Sequence, residues 1–402
     1  MKGGRDLGSW LGALVLAAAA CQEQLAMPSR CPDLCPGEGL LIRDTVLLPA
    51  AGRDSTFTGY IAAGEVSALL VSNGLPAGDA RAWAIFPDRP DSIFVVGVRY
   101  AYTVDSAAMV IQLEARDTAV RGVYLVMHRI PLELDTTTTL EALDAFLTPE
   151  SVVDSVQIPD SLRSGDFRLR LSPEALSRLE PDETDSTRFA VGFRISAPVP
   201  TGVRLGSNLT GAPLYSTFVR VPATDTALIR QTITITADGS NFAIAHPPLT
   251  DPDLLFLGGR SGSRTLLRFN LPQFIKDSAT IIRATLELVP SQPLIGLLND
   301  PSELQVRAVL VDFGAKSPAF AGAAGTAILE SGSGDTVRVE VRGPVATWLG
   351  PGGLTPSLLL GLAPEGGTFS RPEFFSTRSP GGGAGAARLR ITYAVASRPG
   401  FP

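Results

Sequence analysis

The sequence predicts an all-β protein of two tandem antiparallel β-sandwich domains related by an internal duplication. Three observations predict this. Residues 335–349, DTVRVEVRGPVATWL, alternate Val337, Val339 and Val341 with Arg338, Glu340 and Arg342, break at Gly343-Pro344 and continue into a short helical piece ending in Trp348-Leu349. Such alternation reads as a strand with one face toward a core. Residues 166–179, DFRLRLSPEALSRL, repeat the pattern of strand, Ser-Pro break and short helix. Third, LIRDTVLL at 41–48 matches LIRQTITI at 228–235 without a gap, and each leads into a turn, Ala50-Ala51-Gly52 and Ala237-Asp238-Gly239.

Composition agrees with short strands joined by many turns. Of 402 residues, 45% are apolar and 18% charged, and 40 Gly and 32 Pro supply the turns. The length allows two or three cores. The formal net charge of −6, with no basic stripe, argues against a nucleic-acid partner. Lys2, Lys276 and Lys316 are the lysines, and arginine carries the remaining positive charge.

The elements follow in order. Strands are expected at 41–48, 68–71, 81–86, 107–113, 123–129, 166–171 and 189–195, with short helical turns over 135–154 and at 173–179. The second set runs 228–235, 254–257, 264–269, 279–289, 305–311, 337–341, 358–362 and 388–393, and the Gly/Ala-rich 314–334 reads as a loop. These place domain 1 at 41–222 and domain 2 at 228–393, with a boundary near Pro222-Ala223-Thr224-Asp225-Thr226 and a disordered tail at 394–402.

The N-terminus carries Lys2 and Arg5, then the apolar run 7–20, too short for a comfortable transmembrane helix, then Ala18-Ala19-Ala20-Cys21. This resembles a bacterial lipoprotein signal peptide at 1–20, although Ala18 stands where Leu is usual. The resemblance implies cleavage before Cys21 and lipidation of Cys21, and hence a membrane partner held through a lipid anchor. Gln22 and Glu23, in place of Asp, resemble an outer-membrane sorting signal. The Pro-rich 21–40 reads as a tether. Within it, Cys31 and Cys35 in CPDLC suit a small disulfide ring; free thiols and a metal site are the other readings, in that order.

In the second half, a strand ending RFNLP, then ATLELV, VRVEV with a turn and TWL, a Leu-rich strand, EFFST and a closing LRITY occur in that order over 228–393. The order resembles the disaggregatase-related (DNRLRE) domain and its jelly-roll-like relatives of bacterial surface proteins. The first half fits less well, with Leu214-Tyr215-Ser216-Thr217 as its nearest counterpart to EFFST. The resemblance implies a β-sandwich used as an accessory or carbohydrate-binding module, and brings no catalytic residue.

The residues themselves nominate no catalytic site. His128 and His246 are the histidines; the first reads as a satisfied strand residue and the second as a loop residue before Pro247-Pro248. The Gly-rich stretches 258–264 and 381–387 lack the strand–loop–helix context and the Lys of a phosphate loop. Asp182-Glu183-Thr184-Asp185 and Asp251-Pro252-Asp253 read as solvated loop charge ahead of calcium ligands. Trp83 and Trp348 read as core, and Phe374-Phe375 as one residue in and one out. No cofactor and no metal are expected. The sequence therefore points to a lipid-anchored envelope protein that binds or scaffolds, with a polysaccharide or an envelope protein as partner. An assembly role comes second, and a polysaccharide hydrolase third.

Overall fold

The computed structural model describes residues 41–61, 65–135, 137–179, 187–222, 228–245, 251, 253–259, 262–380 and 385–395. The strands of the first half are β1 (Leu41–Leu47), β2 (Ser55–Thr58), β3 (Ala68–Asn73), β4 (Ala80–Phe86), β5 (Ser92–Val95), β6 (Val98–Ala101) and β7 (Thr103–Arg116). They continue as β8 (Tyr124–Ile130), β9 (Val152–Gln157), β10 (Gly165–Leu171), β11 (Phe189–Ser196), β12 (Thr201–Gly206) and β13 (Leu214–Pro222). After the central break come β14 (Leu228–Thr236), β15 (Gly239–Ile244), β16 (Leu254–Phe256), β17 (Ser263–Arg268), β18 (Ala279–Leu288) and β19 (Ser302–Ala308). The last are β20 (Gly325–Leu329), β21 (Val337–Glu340), β22 (Ser357–Ala363), β23 (Glu373–Phe375) and β24 (Arg388–Val395). Among the described residues, short helices join them: α1 (Leu140–Asp144), α2 (Pro173–Leu179), α3 (Gln273–Ser278) and α4 (Arg342–Ala346).

The fold is all-β, with antiparallel sheets throughout the assigned pairings, as the alternation predicts. One pair of sheets has the orders β14-β13-β7-β12-β3, with β10 also on β7, and β15-β4-β11-β8-β9. Alternate residues of both sheets fill one core, among them Met109, Ile111 and Leu113 of β7, Leu125 and Met127 of β8, and Val191 and Phe193 of β11. The other pair has the orders β1-β24-β18-β21 and β2-β17-β22-β19-β20. Its core includes Leu286 and Leu288 of β18, Leu304 and Val306 of β19, Leu358 and Leu360 of β22 and Leu389 and Ile391 of β24. One apolar face per strand, shared between facing sheets, is the packing of a β-sandwich.

The helix after each alternating strand lies where that pattern puts it. Val339 and Val341 are fully buried while Arg338 and Glu340 face out, and after α4 Trp348 is buried in the second core with its ring 6.0 Å from Phe269. In the first half Ala175 and Leu179 of α2 fill the equivalent place.

Strand pairing does not follow the expected division at 41–222 and 228–393. β1 and β2 pair with β24 and β17 of the second half, whereas β14 and β15 pair with β13 and β4 of the first. Each sandwich is completed by the opening two strands of the other half. The strands of the first sandwich are therefore continuous in sequence from β3 to β15, and those of the second are not. The physical reason is that LIRDTVL and LIRQTIT carry nearly the same pattern, so a chain can seat either one beside either closing strand.

Two further expectations are corrected. The segment 314–334 contains a 3₁₀ turn at Gly314–Lys316 and the edge strand β20, whose register with β19 runs from Ser302↔Leu329 to Val306↔Gly325. The Gly/Ala content hid a strand in which only Leu329 and Gly325 are buried. At the other end, β24 extends through Ala394 and Val395, which pair with Thr280 and Ala279, so these two residues belong to a sheet and not to the tail.

Candidate functional site

The outer face of the sheet β15-β4-β11-β8-β9 carries the most distinctive grouping of polar side chains. A row crosses all five strands: Asn241, Trp83, Gly192, His128 and Val152 are successive register partners. Gly192 lies between the two large rings. A Cβ there would stand 2.5 Å from Leu147 Cδ2, so its absence lets the 140–151 excursion settle on the sheet. Leu143 and Leu147 then pack with Trp83, Ile130, Ala190 and Ala243 in a small core of their own. Thr139 caps α1 by accepting from Ala142 N at 3.2 Å. Buried Arg81 ties the helix to the sheet, donating to Asp144 at 2.9 Å and to the carbonyls of Ser72 and Ala80.

His128 is 3% exposed. Its Nδ1 lies 3.0 Å from Ser151 Oγ, which is itself 2.7 Å from the Phe146 carbonyl and 3.0 Å from the Thr148 carbonyl. Assigned from this network, the serine gives its hydrogen to a carbonyl and accepts one from Nδ1. Nε2 then carries the lone pair, and it is buried with no hydrogen-bond partner among the described residues. Burial holds the imidazole below its ordinary pKa; the Thr148 carbonyl and Asp144 oppose this, while Arg194 and Arg81 reinforce it. A serine nucleophile needs the reverse polarity, with the hydroxyl donating to the imidazole, so this pair lacks the hydrogen-bond direction of a hydrolytic dyad.

Beside His128 is a cavity of about 340 Å³, whose lining includes Asn73, Val126, Leu147, Pro149, Arg194 and Ser196. Arg194 is exposed and makes no hydrogen bond or ion pair with any described residue. The cavity therefore combines a guanidinium uncommitted among the described residues, an apolar wall and one side of a buried imidazole.

The equivalent sheet of the second sandwich has a cavity of about 260 Å³ on its outer face, lined among others by Arg264, Gln305, Arg307, Gly361 and Glu365. Here one of the two cations, Arg264, is neutralised, while Arg307 bonds the neutral Gln305. Arg264 makes a two-pronged pair with Glu365 at 2.8 and 2.7 Å, and Tyr60 stacks 4.2 Å from its guanidinium while donating to the Ala315 carbonyl. The pair with Glu365 holds Arg264 above even its ordinary pKa. Gln305 bridges Glu303 and Arg307 at 2.8 and 3.3 Å. On the four-stranded sheet a depression of about 390 Å³ includes Arg283, Arg338 and Arg390, but Glu340 and Glu287 pair with them at 3.0 to 3.6 Å.

The residues nominated from sequence are distributed as follows. Trp83, Trp348 and Phe374 are buried, and Phe375 is half-buried. Asp253 N donates to Asp251 Oδ1 at 2.8 Å, and its carboxylate is 4.0 Å from Arg378. Among the described residues no cluster of three metal-ligating side chains occurs, and no helix is long and apolar enough to cross a membrane. Cys21, Cys31, Cys35, His246 and residues 182–185 lie outside the described residues. Sequence reasoning missed Arg194, Asn73 and Ser151. Alternation in FRIS places Arg194 on the outward face, but only the strand register brings it to His128.

No protein-family model matches the chain, and no curated protein matches it. Solved structures similar to it include the VP2 subviral particle of infectious bursal disease virus, at 11% identity and a TM-score of 0.15, covering 92% of this chain and 79% of that one. Another is the T=1 particle derived from infectious bursal virus, at 11% identity and a TM-score of 0.11, covering 93% and 82%.

Proposed function

We propose that this chain is a non-catalytic, extracytoplasmic binding protein, anchored to the outer membrane through a lipid on Cys21, whose ligand is a carboxylated glycan. The observation that carries the ligand class is the His128 cavity. Arg194, exposed beside buried His128, has no anionic partner among the described residues. A uronate carboxylate supplies the anion, in a charge-assisted pair stronger than a neutral hydrogen bond. The serine that touches His128 is turned away from nucleophilic use, which favours binding over hydrolysis. The signal-like N-terminus supports the location, because a lipid anchor would hold the sandwiches at an envelope surface. A glycan array probed with the full chain tests the reading: enrichment on polyuronates over their neutral counterparts supports it, and an array without binding rejects glycan recognition altogether.

A further inference from the structure

The β5–β6 hairpin stands apart from both cores. Its register, from Ser92↔Ala101 to Val95↔Val98, leaves Val96 and Gly97 as the two turn residues, with φ of +49° and +81°. Two positive φ values make the mirror-image turn that suits hairpin twist, and Asn-Gly or Asp-Gly is its usual sequence. A β-branched residue in that conformation is sterically disfavoured. Here valine occupies it while 98% exposed, flanked by Phe94 at 64% and Val98 at 52%. Neither turn geometry nor hydration accounts for an apolar residue at this apex.

Below the Val95↔Val98 pair at the turn, Arg99 stands directly opposite Phe94, and Tyr100 follows opposite Ile93. The Arg99 guanidinium lies 5.1 Å from the Phe94 ring centre, and that of Arg89 lies 5.9 Å from the Tyr102 ring. Tyr102 hydroxyl donates to the Pro90 carbonyl, and Tyr100 is half-buried beside it. Asp88 and Asp91 balance the two arginines, so the hairpin is close to neutral. The connection in the second sandwich that corresponds to this one, between β17 and β18, holds only α3, so the sandwich does not require the hairpin.

We infer that this hairpin is a membrane-surface contact, its Phe94-Val96-Val98 tip entering the interface of a phospholipid bilayer. The depth order fits that occupant. Val96 and Val98 lead, and Phe94 with Arg99 opposite it, then Tyr100, follow toward the level of phosphates and glycerol, where such amphipathic side chains settle. Near-neutral charge makes the contact depend on apolar insertion more than on salt. This contact is independent of the glycan reading and of the residue at position 21.

The test uses the full chain carrying Cys21→Ala, so that no acyl chain contributes, with mixed phosphatidylethanolamine and phosphatidylglycerol vesicles. Val96→Trp places a reporter at the apex. The expected result is a blue shift of the added emission and its quenching by acyl-brominated lipid; emission from position 96 that is indifferent to vesicles overturns the inference. Val96→Asn supplies the second arm. It suits the turn better, so thermal stability is kept or raised, while partition onto vesicles falls about tenfold, the loss expected from one valine side chain. Partition unchanged by Val96→Asn also overturns the inference.

Discussion

Arg204 of β12 and Asp300, in the loop before β19, meet at 2.7 Å with side chains only 12% and 8% exposed, and so join a strand of the first sandwich to a loop of the second. Arg204 Nε and Asp300 Oδ2 are buried without a hydrogen-bond partner among the described residues. Nearby, Asn299 Nδ2 donates to Thr118 Oγ1 at 3.3 Å, and Leu297 and Phe369 belong to the first core although they come from the second half.

Removing one member of a buried pair strands the other charge. Asp300→Ala is expected to lower stability by about 3 kcal/mol, and Arg204→Met with Asp300→Leu to recover most of that loss. Chemical denaturation of the single and double variants measures both. Equal loss in the double variant would show that the packing, and not the stranded charge, carries the effect.

The exchanged strands make a sharp statement about fragments. A piece ending at Pro222 lacks β14 and β15, which pair with β13 over nine positions and with β4 over six. Residues 65–245 contain both and so hold a complete set of strands for the first core. The fragment 65–245 is expected to melt cooperatively and 41–222 is not, as read by circular dichroism. Cooperative melting of 41–222 would mean that β1 and β2 can replace β14 and β15 in place.

Acid stability follows from Asp312. Its carboxylate accepts from Arg268 Nη2 at 2.9 Å and from Arg268 Nε, and these bonds hold its pKa down to about 2, from an ordinary value of 3.8. A folded pKa below the unfolded one contributes stability that is complete above about 4 and is lost as pH falls toward 2. The shift corresponds to about 2 kcal/mol for a carboxylate that is 17% exposed. Asp312→Asn should flatten the unfolding free energy against pH in that window. A slope identical to the parent's would remove Asp312 from the account.

Much of the fold was legible because alternation writes burial directly into sequence. Val337, Val339 and Val341 in one half, and Phe167, Leu169 and Leu171 in the other, announce their inward faces, and those two strands are where the reading placed them. The exchange of opening strands was not legible. Two near-identical segments offer nearly the same pattern to either partner, and alternation says which face is inward but not which strand lies beside it. The His128 cavity was hidden for the same reason. Trp83, Gly192 and His128 are far apart in sequence and become neighbours only through the register of three strands. The β5–β6 turn escaped notice because Val96-Gly97 is not a usual hairpin sequence.

Arg194 offers the most direct access to the proposed function, since it is exposed and outside both cores, so its replacement leaves the fold intact. The decisive measurement is calorimetric titration of the full chain with an oligouronate at neutral pH, beside Arg194→Ala. The account predicts saturable binding to the parent that weakens about tenfold or more in the variant, as loss of a charge-assisted pair requires. An oligouronate bound equally by parent and variant, or bound by neither, would contradict it.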